Sequence, residues 1–339
     1  MSKFNKIIIA GGAGYVGSCL VPILLRKNYQ VTVYDIMFFG SSFLPKDKNL
    51  KIIEGDIRDK KKLETSCQNH DVFLDLACIS NDTSFAIDER LSTTINLDAF
   101  EPMVIAAKQS GIKRFIYASS SSVYGISEEK DVKEDHKLLP LTLYNKFKGL
   151  CEPLLFKHTN NNFEGVVFRP ATVCGYAPRQ RLDLSVNILT NFAVNKKMIK
   201  IFGGDQLRPN LHINDYCDAV EVLINAESEK IKNEIFNIGY QNLSINQISE
   251  IVKNVVIKEL SYEDIKIEKV KSNDNRSYHI NSDKIYNVLG YKPKRSIESA
   301  VADLCNAFKK NLLPNSFTDD MYFNVERLKK INAQWKIIL

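Results

Sequence analysis

Apolar and polar positions alternate in blocks along the first two thirds of the chain. Short runs rich in β-branched residues recur at 7–10, 31–35, 50–54, 71–76, 114–118 and 165–169, and read as buried parallel strands. Between them, residues 15–26, 58–69 and 98–110 space their apolar positions as amphipathic helices do. Residues 81–88 are polar and read as a loop. This alternation predicts an α/β fold, a doubly wound parallel sheet whose ligand lies at the carboxyl ends of the strands. From about residue 176 the rhythm changes. A loop, a helix near 185–195 and an apolar run at 199–204 follow, and 213–226 and 235–238 read as a return to the main sheet. Residues 244–310 read mostly as short helices, and the stretch after Pro314 as a polar, irregular tail. The expected division is a sheet domain at 1–175 plus about 210–240, a smaller mixed α/β lobe at 176–209 and 241–310, and a tail at 311–339.

The first strand runs straight into Gly11, Gly14 and Gly17, which open the first helix. A strand, a glycine turn and a helix start place free backbone N–H groups and the positive end of a helix dipole at one spot, which suits a pyrophosphate. Gly11 permits the tight turn, Gly14 the approach of a phosphate, and Gly17 the packing of helix on strand. A glycine triplet alone is equally a plain strand–helix turn. The second strand, however, ends in Asp35, near the ~20-residue spacing of a ribose-binding carboxylate. A carboxylate there accepts from ribose hydroxyls and repels a 2′-phosphate, so NAD is favoured over NADP. Asp56 ends the third strand, where it either reaches an adenine edge or serves as an ordinary turn aspartate.

Four serines at 119–122, followed by Val123, Tyr124 and Gly125, come directly after the fifth strand. They are a flexible loop or a set of aimed hydroxyls. Tyr144 and Lys148 stand at i and i+4 and share a helix face. Lys148 would then lower the Tyr144 pKa by placing a cation near the phenolate. Such a phenol suits a base for a hydroxyl that loses hydride to nicotinamide.

Taken in this order, the residues resemble the extended short-chain dehydrogenase/reductase family, and within it the NAD-dependent nucleotide-sugar epimerases and dehydratases. The likeness covers roughly residues 5–310 and rests on the glycine turn, Asp35, Asp56-Ile57, Leu76-Ala77, Asn96, the serine turn, Tyr144/Lys148 and Arg169-Pro170. It implies a Rossmann-type sheet holding NAD through Gly11, Gly14, Tyr15, Val16, Gly17, Asp35, Ile36, Asp56, Ile57, Leu76, Ala77, Cys78, Asn96, Tyr144, Lys148 and Pro170. It also implies that Ser120 orients the sugar hydroxyl, Tyr144 is the acid/base, and Lys148 holds the nicotinamide ribose. The nucleotide-diphosphate sugar is assigned to Ser80, Ser121, Ser122, Thr172, Asn187, Phe202 and Arg208, with Arg276 as a second diphosphate clamp. A guanidinium suits bidentate phosphate binding, although either arginine is also readily a surface ion pair. His212 reads as structural.

Two departures narrow the chemistry. Dehydratases of the family carry Asp-Glu where this chain has Ser121-Ser122, which cannot move protons during water elimination. Many 4-epimerases carry asparagine where this chain has Thr172. The segment that follows, Cys-Gly-Tyr-Ala-Pro-Arg-Gln-Arg-Leu-Asp at 174–183, resembles a branch acting at C4 of less common sugars such as GDP-linked heptoses. The expectation is a nucleotide-sugar epimerase working through transient oxidation at C4, with a net C4 dehydrogenase or reductase as the alternative. An NAD-binding regulatory protein is the non-enzymatic alternative; it is disfavoured because Ser120, Tyr144 and Lys148 are all kept, although fold alone does not give function.

Composition adds exclusions. The net charge of +6 comes from 46 basic and 40 acidic residues without a long basic block, which argues against a nucleic-acid partner. Seven cysteines form no Cys-x-x-Cys pair, so neither a disulfide framework nor a metal site is expected. No apolar run reaches ~18 residues and the short one at the start is no signal peptide, so a cytoplasmic protein without membrane association is expected. The resemblance and the apolar stripes at 98–110 and 141–158 imply a homodimer.

Overall fold

The structure is a computed structural model that describes residues 4–127, 129, 131–271 and 277–335. The strands in chain order are β1 (Lys6–Ala10), β2 (Gln30–Asp35), β3 (Leu50–Glu54), β4 (Val72–Asp75), β5 (Arg114–Ala118) and β6 (Glu164–Pro170). They continue with β7 (Thr172–Cys174), β8 (Met198–Phe202), β9 (Leu207–His212), β10 (Glu234–Ile238), β11 (Gln241–Ser244) and β12 (Lys266–Val270). Seven of them form one sheet in the order β10-β6-β5-β4-β1-β2-β3, and every pair is parallel. Residues 7–10 and 72–75 are buried on both faces, as a parallel sheet covered by helices requires.

The helices are α1 (Tyr15–Arg26), α2 (Lys60–Cys67), α3 (Asp82–Phe85), α4 (Glu89–Thr93), α5 (Phe100–Gln109), α6 (Leu143–Phe156) and α7 (Ser185–Lys196). After these come α8 (Ile213–Asn225), α9 (Ser228–Ile231), α10 (Ile245–Leu260), α11 (Asp283–Leu289), α12 (Ile297–Lys309) and α13 (Asn324–Trp335). One face of the sheet is covered by α1 and α8, whose Leu20, Leu24, Val220 and Leu223 pack with Ile7, Ile9 and Val33. The other is covered by α2, α5 and α6, through Leu63, Met103 and Leu155 against Ile8, Phe73 and Phe115. The smaller lobe has its own core between α7, α10 and α12, including Leu189, Val252 and Val301. Its strands form a mixed sheet, β11-β9-β7, and the parallel pair β12-β8.

Gly11 and Gly17 do what their positions predict. Gly11 has φ +75°, and a Cβ there would stand 2.7 Å from Ala77 N; at Gly17 it would stand 2.2 Å from Gly12 O.

Three expectations are corrected. The predicted loop at 81–88 contains α3 and leads into α4, because Asn81 accepts from Ser84 N and Asp88 from Leu91 N, each starting a helical turn. Residues 244–310 are not mostly short helices. The capping box of Ser244 and Gln247 opens the 16-residue α10, and β12 pairs with β8. The tail is not irregular, since α13 buries Leu328 and Ile331 in the core on the α5 side of the sheet.

Candidate active site

A cavity of about 420 Å³ opens at the carboxyl ends of β1, β2, β4, β5 and β6. The glycine turn forms one wall through Gly11, Gly14, Tyr15, Val16 and Gly17, and β2 contributes Asp35 and Ile36. Asp56, Ile57, Leu76, Ala77, Cys78, Ser80, Ser120, Ser121, Ser122, Tyr144, Lys148, Pro170 and Thr172 line the same cavity. Each strand stops at this edge, so residues scattered over the chain meet there.

At the Asp35 end, the carboxylate accepts from Ala13 N and Met37 N, both at 2.9 Å, and so also holds the glycine turn. Burial raises its pKa. The Asp56 carboxylate is engaged by the Arg58 guanidinium and backbone N–H, which ties it back to its own turn while it lines the cavity.

At the other end, Thr142 caps α6 by accepting from Asn145 N, and its hydroxyl donates to Asp82 Oδ1 at 2.6 Å. The helix start is thereby tied to the edge of the cavity. Ser120 Oγ lies 2.7 Å from Ser122 Oγ, which in turn donates to Asn145 Oδ1, so the serine turn is an ordered hydroxyl chain and not a flexible loop. Burial pushes the Tyr144 phenol well above its ordinary range, and the cation that opposes this is Arg181. Lys148 has a different task from the one its spacing predicts. Its ammonium donates to Ala118 O at 2.7 Å and stands 5.0 Å from the centre of the Tyr117 ring. The Lys148 charge also opposes the burial that pushes the Asp75 carboxyl up to about 7.

The turn is held from behind. Arg169 makes a bidentate pair with Glu152 on α6, Ser119 Oγ donates to Glu152 Oε1 at 2.6 Å, and Arg169 Nη1 donates to Tyr124 Oη at 2.6 Å. One buried ion pair thus joins β6, α6 and both sides of the serine turn.

Several predicted contacts fall elsewhere. Asn96 does not line the cavity; its side chain accepts from Ile79 N and donates to Ile79 O, both at 2.9 Å, and so shapes the 77–80 loop from beneath. Asn187 is fully buried and spends its amide on Tyr15 Oη, Arg181 O and Gly175 N. Phe202 is 56% exposed at the end of β8, away from the cavity. Arg208 stands beside the cavity, its guanidinium 5.3 Å from the centre of the Tyr278 ring, which does line it. Arg276 lies outside the described residues.

Other lining residues were not singled out from sequence for the site: Asn145, Arg179, Arg181, Tyr278 and Asn324. Arg181 pairs bidentately with Asp183 and donates to Ser80 Oγ at 3.1 Å. Thr172 Oγ1 stands 3.5 Å from Tyr278 Oη. The available signal was two arginines at i and i+2 in a loop just beyond a strand, a spacing that puts both on one side of an extended chain. Among the described residues, no group of three or more His, Cys, Asp or Glu can hold a metal ion, and no helix is long and apolar enough to cross a membrane.

A profile of the NAD dependent epimerase/dehydratase family matches residues 7–239. The chain belongs to that family. It is 24% identical to a dTDP-glucose 4,6-dehydratase of Actinoplanes sp., over 90% of this chain and 98% of that one. It is 23% identical to a UDP-glucose 4-epimerase of Rhizobium meliloti, over 89% and 96%. A dTDP-glucose 4,6-dehydratase from Streptomyces venezuelae, solved with NAD bound, superposes with a TM-score of 0.80 at 21% identity, over 90% and 97%. That likeness is one of fold.

Proposed function

We propose that this member of the family is a nucleotide-sugar epimerase acting through transient oxidation at sugar C4. The observation that carries the reading is the meeting of Ser120, Tyr144 and Lys148 at one end of the cleft, with hydroxyls and not carboxylates at positions 121 and 122. The relatives include both epimerases and 4,6-dehydratases. An elimination needs an acid and a base beside the leaving hydroxyl, and Ser121 and Ser122 supply neither.

The cleft fits a dinucleotide. The bare glycine turn leaves room for a phosphate at the start of α1, and Asp35 stands where ribose hydroxyls need an acceptor. NAD, when bound, supplies the hydride acceptor and, in its oxidised form, a positive charge that favours the Tyr144 phenolate. Ser120 then orients the C4 hydroxyl, Tyr144 Oη takes its proton, and Lys148 holds the nicotinamide ribose. After the keto-sugar turns over to present its other face, Tyr144 would return the proton to the C4 oxygen. Gly11, Gly14, Tyr15, Val16, Gly17, Ile36, Ile57, Leu76, Ala77, Cys78 and Pro170 are the proposed cofactor wall, and Ser80, Ser121, Ser122 and Thr172 the proposed sugar contacts. Arg208 and Tyr278 extend the sugar side.

The test is a panel of UDP-, GDP-, CDP- and dTDP-sugars, with product configuration followed by NMR and nicotinamide by absorbance. Inversion at C4 with no net NADH change is expected. A 6-deoxy-4-keto product would refute the reading. Stoichiometric NADH change would assign the chain to the net dehydrogenases and reductases.

A second copy of this chain is the proposed partner. Leu143 and Leu150, seven positions apart on α6, are 39% and 43% exposed, and Leu139 and Leu141 just before the helix are 47% and 51% exposed. Sedimentation showing only monomer at micromolar concentration would refute the dimer.

A further inference from the structure

Arg179 is a charged side chain only 4% exposed, set in the wall of the cleft. Its surroundings leave part of it without a hydrogen-bond partner. The guanidinium carbon lies 3.5 Å from the centre of the Phe39 ring, Nη2 donates to Asn324 Oδ1 at 2.7 Å, and Nε has no hydrogen-bond partner among the described residues. The two carboxylates whose charges act on it hold hydrogen bonds to other groups. Asp183 is paired bidentately with Arg181, and both oxygens of Asp35 accept backbone N–H groups. Burial and the like charge of Arg181 outweigh the attraction of Asp183 and Asp35 and bring the Arg179 pKa down to about 9. A buried guanidinium with an unpartnered N–H in the cleft wall suits an anion that accepts from it.

The location says which anion. Arg179 N donates to Ser18 Oγ at 3.1 Å, in the first turn of α1 beyond the glycine turn. Arg179 interacts with Asp35, at the proposed ribose end, whereas Arg181 reaches Ser80 and opposes the burial of Tyr144, at the proposed reactive end. Between the two ends of a dinucleotide lies its diphosphate, and a guanidinium can donate to it from more than one nitrogen.

Asn324, at the start of α13, fixes this arginine. Besides accepting from Arg179, its Nδ2 donates to Ser80 Oγ at 2.9 Å and its backbone N to Asp183 Oδ2 at 3.1 Å. Arg327 Nε donates to Phe38 O at 2.6 Å, and Leu328 lines the cavity. The start of α13 thus bridges the β2 loop, the β4 loop and the smaller lobe across the mouth of the cleft.

We propose that Arg179 binds the diphosphate of the cofactor and that α13, through Asn324, sets it there, so that the C-terminal segment straps the bound dinucleotide in place. This rests on dinucleotide binding and not on which sugar reaction follows.

The test uses the full chain stripped of nucleotide, with adenosine, ADP, NADH and NADPH as probes and no sugar present. Arg179→Gln should weaken ADP and NADH by about 10- to 100-fold, the range for hydrogen bonds to charged groups, and leave adenosine unchanged. An equal loss for adenosine would mean that Arg179 only supports the fold. A loss confined to NADPH would make it a 2′-phosphate site. Unchanged ADP affinity would likewise overturn the proposal. Asn324→Ala, which keeps the arginine, should speed NADH release in stopped flow, and an unchanged rate would remove the strap. In limited proteolysis NAD should protect residues 319–335 of the unaltered chain and fail to protect them in Arg179→Gln. If Arg179→Gln does not fold, Arg179→Lys takes its place; it keeps the charge, loses the fork, and should weaken ADP but not adenosine.

Discussion

Arg169 grips Glu152 with two parallel hydrogen bonds, Nη2 to Oε2 at 2.6 Å and Nε to Oε1 at 2.9 Å, and both side chains are 3% exposed. The pair joins the end of β6 to the helix that carries Tyr144 and Lys148. Because Glu152 also accepts from Ser119, the same pair sets the turn that carries Ser120. Removing one partner of a buried pair strands the other charge. Glu152→Gln should therefore lower the unfolding free energy by about 3–5 kcal/mol in urea titration. A loss under about 1 kcal/mol, the scale of an exposed pair, would show that the pair is solvated.

Tyr144→Phe removes the oxygen proposed to transfer the proton and keeps the ring. It should leave the fold and NADH affinity as they are and reduce turnover by about 10²- to 10⁴-fold, the range for general acid–base groups. Near-normal turnover would take Tyr144 out of the mechanism.

Asp75 makes stability depend on pH. Its pKa in the folded chain, about 7, lies above the value of an unfolded aspartate, so the folded state binds this proton more tightly. Its contribution to stability is then greatest below about pH 4, falls as pH rises towards about 7, and is flat above that. Urea midpoints measured across this window should fall less steeply with pH in Asp75→Asn than in the unaltered chain. Parallel slopes would mean that Asp75 is ionised throughout.

Asp35→Ala should weaken NAD and narrow its advantage over NADP, since it removes the carboxylate proposed to accept from ribose hydroxyls and to repel a 2′-phosphate. Ala13 N and Met37 N lose their acceptor as well, so ADP should weaken in parallel with NAD. Tighter NADP than NAD binding by the unaltered chain would refute the ribose assignment.

Local features were legible along the chain because they are properties of single segments. β1, the glycine turn and α1 are written in one continuous stretch, and the bounds of α1 read from apolar spacing are those observed. Asp35 at the end of β2 and the i, i+4 pair on α6 depend only on element type and spacing. Periodicity also says which face of an element is apolar, and with strand–helix alternation that is enough to imply a parallel sheet.

What a side chain meets on that face was decided by tertiary structure alone. Lys148 shares a helix face with Tyr144, yet its ammonium goes to Ala118 O on β5, a partner 30 positions away. Asn96 was assigned a cofactor contact, but only the folded chain brings Ile79 close enough to take both ends of its amide. Arg179 and Asn324 are 145 positions apart, and neither sequence neighbourhood contains a sign of the other. The α13 segment reads as a polar tail although Val325, Leu328 and Ile331 recur at helical spacing, and its place over the cleft comes from Leu328, Ile331 and the Asn324 amide meeting partners far back in the chain. Segment periodicity is a one-dimensional signal; the closing of the cleft is a set of long-range contacts, and those exist only after the chain has folded.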